Sequence, residues 1–234
     1  MCDNGILLKL SWRYYVFNEK QEKLCDKCKS NLVPITEETC IKCSRPVNSL
    51  SADYYVDGVC YDCQRWEESS QWTGMLAQNV SVFEYNEFMK NVVNQWKFRG
   101  DYVVIEAFRQ SLLSTFSKHY KDNDLYLVPI PLSEKRLYER GFNQSAALAE
   151  LLDYPIVNLL KRTESEEKQS QKSREERIHT SSPFSLTSEL HSLQDKHIVL
   201  IDDIYTTGTT LRHAAKTLSP HTSKRIRSFT LIRS

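Results

Sequence analysis

The sequence predicts an α/β fold, a mostly parallel sheet flanked by helices, with a small cysteine-rich module in front of it. Three observations carry that expectation. Aliphatic runs of strand length alternate with stretches whose apolar residues recur every three or four positions, the pattern of strands joined by crossover helices. The run His197 to Ile201 is dominated by β-branched and aliphatic residues, as a strand buried on both faces requires. All seven cysteines fall before residue 64, and six of them form three Cys-x-x-Cys pairs. A chain of 234 residues exceeds the usual ~100–150 residues of one domain, so two unequal parts are expected, 1–75 and 76–234.

Composition removes several classes. A net charge of +1 argues against a strongly steered nucleic-acid binder, although local basic patches remain open. No run approaches the ~20 apolar residues of a membrane span, and no signal-peptide core follows a basic start, so a cytoplasmic chain is expected. None of the six glycines forms Gly-x-Gly or precedes a Walker-type lysine. Dinucleotide binding and P-loop hydrolysis therefore lack their local geometry.

The elements follow in chain order. The pairs Cys25/Cys28, Cys40/Cys43 and Cys60/Cys63 are separated by 11 and 16 residues. In a reducing compartment that spacing suits tetrahedral thiolate zinc, and a redox reading lacks the βαβ surroundings it needs. Zinc takes four thiolates per site, so either one pair is spare or a second site is incomplete. Val80 to Tyr85 reads as a strand. Asn86 caps a helix in which Phe88, Val92 and Trp96 recur every four residues, Met89 and Val93 widen the stripe, and Gly100 stops it. Lys97 and Arg99 stand in its last turn, where cations complement the helix dipole.

A helix over about 102–119 and a strand from Leu125 to Ile130 come next. Pro129-Ile130-Pro131 ends that strand, so 132–144 is expected to be a loop. It carries Lys135, Arg136 and Arg140, whose planar guanidinium suits phosphate oxygens, although a solvated basic loop fits as well. A helix follows from Ser145 to Leu152. Residues 161–180 are almost wholly polar, which fits either a disordered linker or a mobile lid.

The strand at 197–201 runs into Asp202-Asp203. The acids reach the crevice where α/β sheets bind ligands, because burying two unpaired charges is costly. Tyr205-Thr206-Thr207-Gly208-Thr209-Thr210 follows, and the spacing of Leu211, Ala214, Ala215 and Leu218 starts a helix near Thr209. Backbone N–H groups at a helix start, a permissive glycine and four hydroxyls make a cradle for a phosphate dianion, with the acids placed for ribose hydroxyls. A metal-site strand or a helix cap is the plainer reading of the same acids. Ser228 to Ile232 is the final strand.

The acid–threonine run resembles the phosphoribosyl diphosphate signature of type I phosphoribosyltransferases. Together with the cysteine pairs and Arg140-Gly141-Phe142-Asn143-Gln144, it resembles the ComF/ComFC late-competence family over almost the whole chain. That resemblance implies a phosphoribosyltransferase-like domain with Asp202 and Asp203 at the ribose. It puts Tyr205 to Thr210 at the 5′-phosphate, and Arg140, Lys97 and Arg99 at a magnesium diphosphate. Gln169 and Arg177 fall on a closing lid. It also implies two zinc ribbons. Cys40, Cys43, Cys60 and Cys63 complete the second, while Cys25 and Cys28 belong to the first with Cys2. Family members open on a Cys-x-x-Cys there, so Met1 is expected to stand inside that pair, with the true start a few residues upstream.

Two functions stay open. One is phosphoribosyl transfer to a nitrogen nucleophile or water, with the acceptor unidentified. The other is a non-catalytic module binding single-stranded DNA or competence proteins in natural transformation, peripheral to a membrane DNA-uptake complex. Trp66 and Trp72 would then supply stacking surfaces, unless they are core.

Overall fold

The computed structural model describes residues 23–36, 38–98, 102–163, 182–187 and 193–234. Cys2, Arg99, Gly100, Gln169 and Arg177 therefore lie outside the described residues, as do most of 161–180 and the expected start at Met1.

The cysteine-rich part begins with a short helix, α1 (Asp26–Ser30). A two-strand hairpin follows, β1 (Tyr55–Val56) against β2 (Val59–Cys60). Its turn is Asp57-Gly58, both residues at positive φ, which is the backbone a two-residue turn needs to match strand twist. Helix α2 (Tyr61–Glu68) leaves directly from Cys60, so Cys60 and Cys63 share its first turn.

The main sheet has four strands in the order β3-β8-β7-β4, all parallel. These are β3 (Asn79–Glu84), β4 (Leu125–Pro129), β7 (His197–Tyr205) and β8 (Arg227–Arg233). Side chains alternate across a strand, and β7 divides them between two cores. Val199 and Ile201 join one, Ile198 and Leu200 the other. The first core is closed by α3 (Glu87–Phe98), α4 (Arg109–His119) and α6 (Gln144–Glu150). The second is closed by α7 (Thr209–Leu218) and by the four cysteines at positions 40, 43, 60 and 63. The cysteine module is thus part of the sheet's cover, while Leu24 and Cys28 pack on the first core.

Between β3 and β8 the second face is polar. Asn79 Nδ2 donates to Ser81 Oγ (2.8 Å), Ser228 Oγ to Asn79 Oδ1 (2.9 Å), and Ser81 and Thr230 hydroxyls meet at 2.7 Å. Ser44, next to Cys43, closes this seam by donating to the Asn79 carbonyl at 2.8 Å.

Both edges of the sheet are paired. Ile35 N–H donates to Val82 and Glu84 N–H to Val33 along β3. Leu127 N–H donates to Pro155, and Val157 N–H to Leu127, along β4.

Two expectations are corrected. Residues 132–144 are not all loop: α5 (Glu134–Arg140) stands there, capped by Ser133, whose Oγ accepts from Arg136 N–H, and ended by Gly141 at φ 77°. The helix expected over 102–119 is a 3-10 stretch, Tyr102–Phe108, before α4 begins. The polar segment also starts in a strand, β5 (Leu160–Arg162), paired antiparallel with β6 (Phe184–Leu186). Among the described residues no helix is long and apolar enough to cross a membrane.

Candidate functional site

Strand β7 outruns the expected His197–Ile201 and carries the acid pair to the sheet's carboxyl edge. Asp202 Oδ1 accepts from Ser145 Oγ and from the Asp203 N–H, both at 3.0 Å. Burial, then the adjacent Asp203 charge, pushes the Asp202 carboxyl up to about 7. Ser145 is held in turn by Asn143, whose Oδ1 accepts the Ser145 N–H at 2.9 Å and whose Nδ2 donates to the Ile130 carbonyl at 3.0 Å. Ser145 was not a candidate from the sequence, since it begins an expected helix and its partner is 57 residues away.

Asp203 is ion-paired with Lys97 from the last turn of α3, both side chains largely buried. Arg140 closes α5 nearby. Burial lowers its pKa while Asp203 raises it, and its Nη1 donates to Gln144 Oε1 at 2.9 Å. Three elements far apart in sequence thus bring Lys97, Arg140 and the acid pair to one strand end. Arg99, Gln169 and Arg177 cannot be placed, lying outside the described residues.

Beyond the acids, Thr206 is exposed and Thr207, Thr209 and Thr210 are half-buried. The Thr207 and Thr209 hydroxyls meet at 2.8 Å, and Thr209 N–H reaches Thr207 Oγ1 at 3.4 Å. Gly208 caps α7 at φ 77°, and a Cβ there would run into Arg212 Nη1 and the Tyr205 phenol. Tyr205 turns its ring behind the loop, where it is buried and its hydroxyl accepts from Arg212 Nη1 at 2.7 Å. Only its main chain belongs to the loop.

The four thiols of Cys40, Cys43, Cys60 and Cys63 are buried, with sulfurs all within 4.8 Å of one another. Cys43 and Cys60 Sγ stand 3.7 Å apart. A tetrahedron with Zn–S bonds of ~2.3 Å has edges of about 3.8 Å. The donor set therefore fits a structural zinc. Cys60 N–H donates to Cys40 Sγ at 3.3 Å, and Arg233 Nη2 lies 3.6 Å from Cys43 Sγ, a cation beside a net-negative centre. Cys25 and Cys28 lie apart from this cluster.

Trp66 and Trp72 are 5% and 2% exposed, so neither offers a stacking surface. Phe98, next to Lys97, is 73% exposed and Tyr138 on α5 is 91% exposed, neither singled out from the sequence for stacking. Arg140 lies 5.8 Å from the Phe98 ring centre.

Residues 137–234 match the family model described as phosphoribosyl transferase domain, and residues 16–64 the one described as double zinc ribbon domain. The chain is 42% identical over 235 residues to competence protein ComFC of Bacillus subtilis, covering 100% of this chain and 94% of that one. It is 36% identical to competence protein ComFC of Streptococcus pneumoniae, covering 90% and 87%. DNA utilization protein YhgH of Salmonella typhimurium is 27% identical, over 59% of this chain and 64% of that one.

Proposed function

The chain belongs to the ComFC family of competence proteins, and on that premise we propose that it binds phosphoribosyl diphosphate with Mg²⁺ at the carboxyl end of β7, in the service of handling incoming DNA. The observation that carries this reading is the convergence on one strand end of an acid pair, a threonine-rich turn opening α7, and two cations from separate helices. Asp202 and Asp203 accept hydrogen bonds from the ribose 2′- and 3′-hydroxyls. The N–H groups and hydroxyls of Thr206 to Thr210 receive the 5′-phosphate. Arg140 and Lys97 face the diphosphate, with Lys97 leaving Asp203 as the sugar takes its place. Arg99, Gln169 and Arg177, outside the described residues, complete the proposed set.

The reaction open to such a site is displacement at ribose C1. The C1–O bond to the diphosphate breaks with its electron pair leaving on the diphosphate, and a nitrogen nucleophile or water bonds to C1. Mg²⁺, bound with the ligand, would offset charge on the leaving diphosphate. The chain's own contribution is electrostatic: the paired carboxylates favour positive charge on the sugar, and the basic side chains favour the departing anion.

Calorimetry with phosphoribosyl diphosphate, with and without Mg²⁺, tests the reading. Mg²⁺-dependent binding that disappears in a folded Asp202→Asn/Asp203→Asn variant is the expected result. No binding by the zinc-loaded parent would sink it.

A second reading concerns single-stranded DNA. Phe98 is exposed next to Lys97 with Arg140 near its ring, and α5 carries exposed Tyr138 along with Lys135, Arg136 and Arg140, so aromatic faces and cations share these two helices. On this reading the protein works in the cytoplasm, at the edge of a membrane DNA-uptake complex with other competence proteins. Salt-sensitive binding of an oligothymidylate, weakened in Tyr138→Ala and kept in Asp202→Asn/Asp203→Asn, would support it; equal binding by Tyr138→Ala and the parent would count against it.

A further inference from the structure

Three successive carbonyls of the threonine loop are held from behind. Arg233 Nη1 donates to the carbonyls of Tyr205 at 3.2 Å and Thr206 at 3.1 Å. The Trp66 indole N–H donates to the carbonyl of Thr207 at 3.0 Å, across 141 residues of chain. In a trans peptide the C=O of one residue and the N–H of the next point in opposite directions. Drawing these three carbonyls toward the cysteine module therefore turns the N–H groups of Thr206, Thr207 and Gly208 away from it. Consecutive N–H groups presented on one side are what an anion needs.

Both donors lead back to the four-cysteine centre. Trp66 lies one helical turn beyond Cys63 on α2, and the same guanidinium of Arg233 reaches 3.6 Å from Cys43 Sγ. The gap between them is filled. Arg212, 1% exposed, stacks 4.6 Å from the Trp66 ring centre and donates to the Tyr205 hydroxyl, while Trp72 meets Trp66 edge-on at 5.4 Å. A buried contact so packed transmits a displacement instead of absorbing it.

We infer that Trp66 and Arg233 are positioning residues for the phosphate-binding backbone, and that zinc in the ribbon fixes them, so that affinity for a sugar phosphate depends on a metal that never touches it. The inference rests on the ribose-phosphate reading of the loop. It differs from a purely structural role for zinc in acting on one subsite: the loop side of the ligand is affected, and the diphosphate side, held by Lys97 and Arg140, is not.

Trp66→Phe keeps an aromatic face under Arg212 and deletes the donor. On the zinc-loaded full chain, calorimetry should show ribose 5-phosphate bound about tenfold more weakly, as loss of one buried hydrogen bond implies. Binding of Mg²⁺-pyrophosphate should be unchanged. Equal loss for both ligands, or no loss for either, overturns the inference. Hydrogen–deuterium exchange gives an arm free of ligand: residues 203–211 should exchange faster in Trp66→Phe with 125–129 unchanged, and zinc chelation should speed 203–211 by a larger factor than 125–129. Unaltered exchange at 203–211 overturns the coupling. A parent that binds neither ligand overturns the ribose-phosphate reading, and the exchange arm then still decides the coupling. Arg233→Gln, put through both arms, serves if Trp66→Phe does not fold.

Discussion

At mildly acidic pH, Asp202 holds a proton that the unfolded chain would give up. Its carboxyl is pushed from 3.8 up to about 7 by burial and by Asp203. The native state therefore binds more protons than the unfolded one between those values. The stability this contributes is complete below pH ~3.8 and is lost as pH rises through about 7. Asp202→Asn is neutral throughout, so it should gain on the parent as pH is raised from 4 to 8, by at most on the order of 4 kcal/mol. Denaturant melts at three pH values check this; a constant offset would contradict it. Gly208 makes a second case, since Ala would need φ 77° and would press its Cβ against a buried guanidinium and phenol. Gly208→Ala should cost roughly 2–3 kcal/mol and abolish ribose 5-phosphate binding, read by melting and calorimetry. The acids and the glycine were legible because strand, charge and turn lie side by side in the chain. Ser145, Trp66 and Arg233 were not, because each acts on its partner across the fold.

Helix α5 shows what sequence periodicity can miss. Reading for an apolar stripe finds a helix only where one face is buried, and no residue of α5 is buried. Its signal was local instead, Ser133 at the start and Gly141 at the end. With no buried face, α5 depends on these caps. Gly141→Ala should cost about 1 kcal/mol, and by fraying the turn that holds Arg140 it should weaken pyrophosphate binding. Faster hydrogen exchange over 134–141 would be the local signature; exchange equal to the parent would refute it. Strand β5 was hidden differently: Lys161 and Arg162 look like the start of a polar linker, yet Arg162 Nε donates to the Pro131 carbonyl at 2.9 Å and its guanidinium lies over Phe184. The strands of the main sheet were legible because burial on both faces leaves a continuous aliphatic run.

At the scale of the molecule, the α/β class and the zinc module were readable, but their union was not. The four cysteines and α7 share one core over the second face of β7, and Ser44 closes the polar seam of β3 and β8. Asn79-x-Ser81 and Ser228-x-Thr230 were the available sign, alternating polar residues in strands otherwise buried. A shared core unfolds as a unit. Scanning calorimetry of the zinc-loaded chain should give one transition that chelation moves down as a whole. Two separable transitions, with the upper one indifferent to chelator, would show independent modules.

The paired edges of the main sheet have a consequence for how the molecule meets others. On each side a short segment occupies the outer strand's backbone, 33–35 against β3 and 155–157 against β4, and in the first the outward residue is Pro34, with no N–H to offer. A visiting chain finds those stretches of β3 and β4 already bonded, so it cannot add directly to either strand there. Recognition must pass through side chains, and a surface of that kind can be retuned one residue at a time while the scaffold stays still.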